Sequence, residues 1–243
     1  MSTLYIVATP IGNLKDITLR ALDVLKNVDV ILAEDTRRTG KLLKHYDISA
    51  KMYSYYEQNE IKRIPKVIQI LKSGSDVALV TNAGLPGISD PGYRLIRESL
   101  KEKIEMFVIP GASALTTAAV LSGLPIDRFA FEGFLPRKKG RKARFSQLAN
   151  EDRSIIIFES PERLLKTLKD CVNYIGNRPV AICRELTKMY EDVFRGTLEE
   201  AVTNFQQHKP RGEIVIVIGK DDPNVFFKFN ECTPETANYA NSR

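Results

Sequence analysis

The 243-residue chain contains only three cysteines and two histidines, and it contains no tryptophan. Cys171, Cys183 and Cys232 are far apart in the sequence and form no C-x-x-C pair. A structural zinc site needs about four clustered cysteine or histidine ligands. The composition therefore predicts no metal site and no disulfide framework, as is typical of proteins from a reducing compartment.

Long hydrophobic runs are also missing from the sequence. No stretch of about 18 apolar residues occurs, so we predict no membrane-spanning helix. The apolar stretch at residues 4–9 lacks the basic segment and the length of a secretory signal, and we interpret it as a first β-strand. These absences predict a cytoplasmic protein.

Three common motifs of enzymes are absent as well. The chain has no G-x-G-x-x-G after its first strand, no G-x-x-x-x-G-K-[ST] and no G-x-S-x-G. A dinucleotide-dependent, a nucleoside-triphosphate-dependent or an α/β-hydrolase function therefore loses its main support. What the chain does have is a formal net charge of +6, which modestly favours an anionic partner such as RNA.

Short apolar runs alternate with helical patterns through the first half. Residues 4–9, 28–34, 77–81 and 106–110 are rich in Val and Ile, and 52–57 is a weaker strand candidate. Residues 18–26 and 61–73 have apolar residues at helical spacing. This alternation predicts βαβ units and a mostly parallel sheet.

A second series of strands follows a break at residues 110–113. The predicted strands are 129–134, 154–160, 180–186, 192–196 and 213–220, separated by helices at 140–149, 162–174 and 198–206. The short run 192–196 follows its predecessor so closely that a hairpin, and hence a mixed sheet, is expected. We predict an α/β fold with domains at residues 1–115 and 116–220 and a polar, flexible tail at 221–243.

The most informative loop is the segment 81–92, TNAGLPGISDPG. It has three glycines and two prolines directly after a buried strand. Glycine allows close approach of backbone to a ligand, and ligands of open α/β sheets lie at the carboxyl ends of the strands. We therefore expect this loop to form a binding site, together with the turn at 9–14 and the small-residue helix start at 110–114. For the turn alone, a plain connector is the favoured interpretation.

Charged residues follow the second strand in the segment 33–39, AEDTRRT. Glu34 and Asp35 are candidates for a general base, and Arg37 is a candidate for holding a phosphate. An equally good interpretation is a helix start that Asp35 or Thr36 caps.

A dense basic segment occurs in the second half, with Phe131, Phe134 and Phe145 close by. Clustered cations contact phosphates and aromatic rings stack on bases, which favours RNA binding slightly over a merely solvated face. The candidate RNA-binding residues are Arg137, Lys138, Lys139, Arg141, Lys142 and Arg144.

Seven segments together resemble the ribosomal RNA small subunit methyltransferase I family, within the tetrapyrrole methylase superfamily. They are, in order, LYIVATPIGNL (4–14), AEDTR (33–37), TNAGLPGISDPG (81–92), PGASA (110–114), EGFLPRK (132–138), FESPER (158–163) and RELT (184–187). The resemblance covers residues 4–220.

The resemblance implies two α/β domains of the tetrapyrrole methylase-like, class III methyltransferase kind. A cleft between them would hold S-adenosylmethionine. It also implies a homodimer and 2′-O-methylation of a cytidine in the decoding region of 16S (small-subunit) ribosomal RNA. By motif match, the cofactor pocket would be lined by Pro10, Asn82, Ala83, Gly84, Ser113, Ala114, Phe158 and Leu186.

The sequence departs from the family pattern at several of these positions. Where the family has S-D-A-G-T-P, this chain has Asn82 in place of the aspartate and Leu85 in place of the threonine. Asparagine keeps an acceptor but loses the charge, which costs about 1–3 kcal/mol if a charged bond to the cofactor is lost. The family's Y-E-S-P-H-R has Phe158 and Glu162 in place of its tyrosine and histidine.

The mechanism expected from these residues needs no metal, because methyl transfer from a sulfonium is an in-line displacement. Glu34 or Asp35 would accept or orient the hydroxyl proton, and Arg37 would hold phosphate. Two other functions fit the sequence: a methylase of a tetrapyrrole or another small molecule, and a non-catalytic RNA-binding or assembly factor that has lost its cofactor.

Overall fold

The computed structural model describes residues 2–222 and 224–227. Its first sheet has five parallel strands in the order β3-β2-β4-β1-β5. The elements of this half are β1 (Thr3–Val7), α1 (Leu19–Asn27), β2 (Val30–Ala33), α2 (Thr36–His45), β3 (Lys51–Ser54), α3 (Glu60–Lys72), β4 (Val77–Val80), α4 (Tyr93–Lys101) and β5 (Glu105–Ile109). The predicted parallel sheet is confirmed. The weaker strand candidate at residues 52–57 overlaps the edge strand β3.

The central strands of this sheet are apolar on both faces because helices cover both. All four residues of β2, VILA, and of β4, VALV, are buried. The predicted strand 28–34 begins too early, because Val28 ends α1 by donating its backbone N–H to Val24 O at 3.0 Å. The parallel arrangement brings the carboxyl ends of the central strands to one edge of the sheet.

The second sheet is mixed, as predicted, with the order β6-β7-β10-β8-β9. Its half contains α5 (Ala114–Ser122), β6 (Phe129–Phe134), α6 (Arg141–Leu148), β7 (Ser154–Glu159), α7 (Pro161–Ile175), β8 (Pro179–Arg184), β9 (Asp192–Thr197), α8 (Leu198–Gln207) and β10 (Ile214–Ile218). β6 pairs with β7 in parallel, and the other three pairs are antiparallel. The short strand β9 forms the expected hairpin with β8.

The small-residue helix α5 packs on the second sheet. Ala118 and Ala119 are buried in a cluster with Ala181 and Val215, so small side chains bring this helix close to β8 and β10. Because α5 follows β5 directly, its first residues lie where the two sheets meet.

The polar tail begins with a packed segment. Val225 and Phe227 contact the same apolar cluster as α5. The flexible tail was expected at residues 221–243, and of these 223 and 228–243 lie outside the described residues. No helix in the described part is long and apolar enough to cross a membrane, and these residues contain no group of three or more side chains suited to a metal ion.

Candidate functional site

A cavity of about 350 Å³ lies between the carboxyl edge of the first sheet and one end of the second. Its walls are mainly apolar with a few polar groups, as is usual for small-molecule sites. The lining residues from the first half are Ile11, Glu34, Arg38, Asn82, Ala83, Gly84, Leu85, Ile88, Ser89, Asp90, Ser113 and Ala114. Those from the second half are Phe134, Phe158, Glu159, Ser160, Pro161, Leu186, Gly212, Glu213, Ile214 and Val215.

The cavity brings together most of the residues that were predicted to bind the cofactor. Seven of the eight line it, the exception being Pro10. Pro10 is buried, and its neighbour Ile11 reaches the cavity instead. The segments 81–92, 110–114 and 158–163 converge here because each follows the end of a strand.

The loop after β4 is fastened to the turn after β1 by backbone hydrogen bonds. Thr9 and Gly84 exchange two of them, with N···O distances of 2.9 and 3.0 Å. Gly84 has a φ of 80°, a conformation that side chains other than glycine rarely adopt. The bridge holds Asn82 and Ala83 at the floor of the cavity.

Asn82 presents an unsatisfied acceptor in this floor. Its side-chain Oδ1 is buried and has no hydrogen-bond partner within the described residues. A buried polar atom without a partner costs about 1–3 kcal/mol, which a hydrogen-bond donor that reached Oδ1 would recover. Substitution of the family aspartate by asparagine therefore leaves an acceptor in place.

The adjacent carboxylates Glu34 and Asp35 have different environments. Glu34 lines the cavity, where its Oε2 accepts a hydrogen bond of 3.1 Å from the backbone N–H of Asn82. Asp35 caps α2 by accepting from the backbone N–H of Arg37 at 2.9 Å, and it also accepts from Nε and Nη2 of the same side chain. The Arg37 side chain holds the pKa of Asp35 well below its usual range.

These contacts select between the two interpretations of the segment 33–39. Asp35 is the helix cap, and its oxygens are occupied by Arg37. The side chain of Arg37 is 88% exposed, and Arg38, which the sequence argument did not select, lines the cavity. The pair Asp35 and Arg37 is therefore part of the helix start, and of the two adjacent carboxylates it is Glu34 that lines the cavity.

A further carboxyl group in the cavity is Asp90, which the sequence argument missed. Burial, and next the charge of Glu34, raise its pKa from 3.8 to about 7. Asp90 follows Ser89, a non-glycine residue with a φ of 62°. In the sequence, Asp90 is indicated by its position within the glycine- and proline-rich loop 81–92.

The second half contributes an aromatic and a charged wall. Phe158 meets Phe131 and Phe134 edge to face, with ring centroids 5.0 and 5.8 Å apart. Glu159 is 2% exposed and accepts hydrogen bonds from Thr167 Oγ1 at 2.6 Å and from the backbone N–H of Ser160 at 2.9 Å. These bonds fix the end of β7 beside the cavity.

The loop before β10 is a lining segment that no motif indicated. Gly212 has a φ of 88°, and a Cβ there would lie 2.3 Å from the carboxylate of Glu185. That carboxylate accepts from the backbone N–H of Glu213 at 2.9 Å and from Lys188 Nζ at 2.7 Å. Glycine is needed at 212 because the loop closes on Glu185.

The six predicted RNA-binding cations do not form one surface. Arg141 is 6% exposed and bonds to Asp170, to Thr167 Oγ1 and to Pro136 O. Arg144 bonds to the Glu132 carboxylate at 2.5 Å. The assignment of Arg141 to an RNA contact is corrected, since burial and internal partners occupy it, and Arg144 is likewise engaged. The four that are exposed are Arg137, Lys138, Lys139 and Lys142.

A family described as Tetrapyrrole (Corrin/Porphyrin) Methylases matches residues 3–202, so this two-sheet α/β protein belongs to the methylases. Uroporphyrin-III C-methyltransferase from Thermus thermophilus, complexed with S-adenyl homocysteine, superposes with a TM-score of 0.64 at 17% identity over 90% of this chain and 97% of that one. A cobalt precorrin-4 methyltransferase gives 0.65 at 18% identity over 89% and 94%. At these identities the likeness concerns the fold.

Sequence relatives are much more similar. Ribosomal RNA small subunit methyltransferase I of Thermotoga maritima is 52% identical over 91% of this chain and 100% of its own length. The protein of that name from Halalkalibacterium halodurans is 50% identical over 89% of this chain and 75% of its own. The chain therefore belongs to the ribosomal RNA small subunit methyltransferase I family of methyltransferases.

Proposed function

We propose that this enzyme transfers a methyl group from S-adenosylmethionine to the 2′-hydroxyl of a cytidine in the decoding region of 16S ribosomal RNA. The observation that carries the proposal is the cavity lined by Glu34, Asp90 and Asn82, whose buried Oδ1 has no hydrogen-bond partner within the described residues. The names of the relatives support the choice of small-subunit ribosomal RNA as the substrate. The site of action would be the cytoplasm.

The residues of the cavity fit S-adenosylmethionine. A volume of about 350 Å³ lies within the range of small-molecule sites. Asn82 Oδ1 would accept a hydrogen bond from the cofactor, and the free N–H groups at the start of α5, after Ser113, suit its carboxylate. Ala83, Gly84, Ala114, Phe158 and Leu186 would form the walls. When bound, the cofactor supplies an electrophilic methyl group on a sulfonium.

Glu34 is the carboxylate that we propose to accept the proton of the hydroxyl. The Asn82 N–H fixes one of its oxygens at 3.1 Å, which leaves the other available in the cavity. The role first considered for Asp35 passes to Glu34, because Asp35 is occupied by the helix start and by Arg37. Arg38 takes the place of Arg37 as the cation at the cavity.

RNA would approach the cavity along the exposed basic segment of the second half. Arg137, Lys138, Lys139 and Lys142 are exposed and follow Phe134, which lines the cavity and is 57% exposed. Cations that bind phosphates next to an exposed aromatic ring are typical of single-stranded RNA sites.

We also propose that the enzyme is a homodimer. Large apolar side chains are exposed on the edge strand β5, on α5 and in the loop before β9. Their exposed fractions are 48% for Phe107, 52% for Val108, 73% for Val120 and 90% for Met189. Association with a second copy of the chain would remove such apolar side chains from water. Sedimentation velocity should give a dimer for the wild type and a monomer for Val120→Glu, and a wild-type monomer would refute the proposal.

The function is tested by a labelled-methyl assay on small ribosomal subunits that lack the modification. We expect transfer of the labelled methyl group to the subunits. Naked RNA and a tetrapyrrole are tested as alternative substrates. Binding of S-adenosylmethionine is measured in parallel by calorimetric titration. Transfer to the tetrapyrrole alone would make the enzyme a small-molecule methylase. An absence of cofactor binding at high micromolar concentration would make it an RNA-binding or assembly factor.

A further inference from the structure

Helix α2 is basic along its whole length and starts at the mouth of the cavity. Its sequence, TRRTGKLLKH, has four cations and a histidine but no acidic residue. Arg38 in its first turn lines the cavity, and the helix continues from there to His45. This helix belongs to the first half of the chain, away from the basic segment 137–144.

The cations of α2 lie on its outer side. Thr39 and Leu43 are the buried residues of the helix, whereas Arg38, Lys41 and Lys44 are exposed. Within the described residues none of these three side chains forms an ion pair, and among the cations of α2 only Arg37 has an acidic partner. The helix therefore presents uncompensated positive charge.

This arrangement has a cost for the folded protein. The first turn of a helix carries a partial positive charge, and like charges three or four residues apart repel each other. Arg37 and Arg38 lie in that first turn, which contains no acidic residue, and the N-cap Asp35 pairs with Arg37 but not with Arg38. A helix that served only to cover the sheet would gain stability from acidic residues at these exposed positions, which favours a functional reason for the cations.

We infer that α2 is a second phosphate-binding surface, which holds the RNA strand on the first-sheet side of the cavity while residues 137–142 hold it on the other. The inference rests on the proposed function. From Arg38 to Lys44 the helix rises about 9 Å, at about 1.5 Å per residue. That length corresponds to about two to three nucleotides at about 3.4 Å each along a stacked strand. Nucleotides that flank the target ribose would therefore contact α2.

The test compares two double variants that remove the same charge. Lys41→Ala with Lys44→Ala alters α2, and Lys26→Ala with Lys101→Ala is the control. Lys26 and Lys101 are exposed in the last turns of α1 and α4, on other helices of the first half. Alanine favours helix formation at all four positions, so each variant should fold.

Binding to unmodified small ribosomal subunits is measured for the wild type and for both double variants over a range of salt concentrations, together with S-adenosylmethionine affinity. For the α2 variant we expect Kd for the subunit to rise roughly tenfold at low salt, and the slope of log K against log salt to fall by about 1.4 for two contacts. Cofactor affinity should stay at the wild-type value, and the control should match the wild type throughout.

Equal behaviour of the two double variants would overturn the inference while leaving the proposed function intact, provided that the wild type methylates the subunits. A wild type that neither binds nor methylates them would overturn the proposed function, and the inference with it. A rise in Kd with an unchanged salt slope would also contradict the inference, because the removed cations would then not be contacting phosphates.

Discussion

The two basic regions beside the cavity differ in how many of their charges are available. Residues 137–144 contain six cations, but Arg141 is buried against Asp170 and Arg144 is paired with Glu132. Helix α2 contains four cations, and among the residues that the structure describes only Arg37 has an acidic partner. The segment with more cations therefore has the smaller fraction of cations available to a ligand. A cation at a buried helix position pairs with groups of the protein itself.

The same difference separates the neighbouring carboxylates Glu34 and Asp35. Adjacent positions in the two-residue connection between β2 and α2 place one side chain at the cavity and the other at the start of α2. Glu34 follows the last residue of β2, and Asp35 precedes the first residue of α2. Local geometry thus separates a candidate catalytic group from a structural one.

The largest effect is expected for Glu34→Gln. If Glu34 accepts the hydroxyl proton, the rate of methyl transfer should fall by about 10²–10⁴-fold, which is the usual contribution of a general base. Single-turnover rates at saturating substrate measure this, with S-adenosylmethionine affinity as the check on folding. A rate within twofold of the wild type would remove Glu34 from the role.

The next largest effect is expected for Arg141→Ala. The substitution leaves the partly buried Asp170 carboxylate without its cation and the buried Thr167 hydroxyl without a donor, and a buried polar group that loses its partner costs about 1–3 kcal/mol. Urea unfolding should show this loss, whereas the exposed neighbour Lys142→Ala should change the free energy of unfolding by less than about 0.5 kcal/mol. Similar stabilities for the two variants would mean that Arg141 is free after all.

Asp90 should make the free energy of unfolding depend on pH. Its pKa is raised from 3.8 to about 7 in the folded state, so the contribution to stability is complete below about pH 3.8 and is lost as the pH rises through about 7. The stability of the wild type relative to Asp90→Asn should therefore decrease from about pH 4 to pH 7 and then level off. Urea titrations at four pH values would detect it, and a difference that is constant with pH contradicts the assignment.

The smallest effect is expected for Asp35→Ala. Loss of a helix cap should lower the free energy of unfolding by about 1 kcal/mol and leave methyl transfer nearly at the wild-type rate. Asp35→Asn is the matched control, since asparagine also caps helices and should retain most of the stability. A rate that falls as steeply as that of the Glu34 variant would restore Asp35 to the mechanism.

The fold followed from the sequence to a large extent. Buried runs such as the one in β4 and the hairpin spacing of β9 predicted one parallel and one mixed sheet. Loops after strands predicted the cavity, because carboxyl ends of parallel strands share an edge. Pro10 was the one predicted pocket residue that does not line it.

The parts that sequence reasoning missed depend on contacts between distant segments. Arg141 is buried because it bonds to Asp170, and position 212 must be glycine because a Cβ there would clash with Glu185. Nothing in the sequence near these residues indicates either contact. Asp90 gains its raised pKa from burial and from Glu34, which is remote in sequence. Local sequence patterns predict the helices and strands and roughly where they end. The partners of a charged side chain depend instead on how distant segments pack together.

The central claim is that the methyl group goes to a ribose hydroxyl of small-subunit ribosomal RNA, with Glu34 taking the proton. Unmodified small subunits are incubated with the enzyme and labelled S-adenosylmethionine, and the RNA is digested to nucleosides for mass spectrometry. We predict one labelled cytidine from the decoding region that carries the methyl group on its ribose. A label on a base, on another molecule or on nothing would contradict the account.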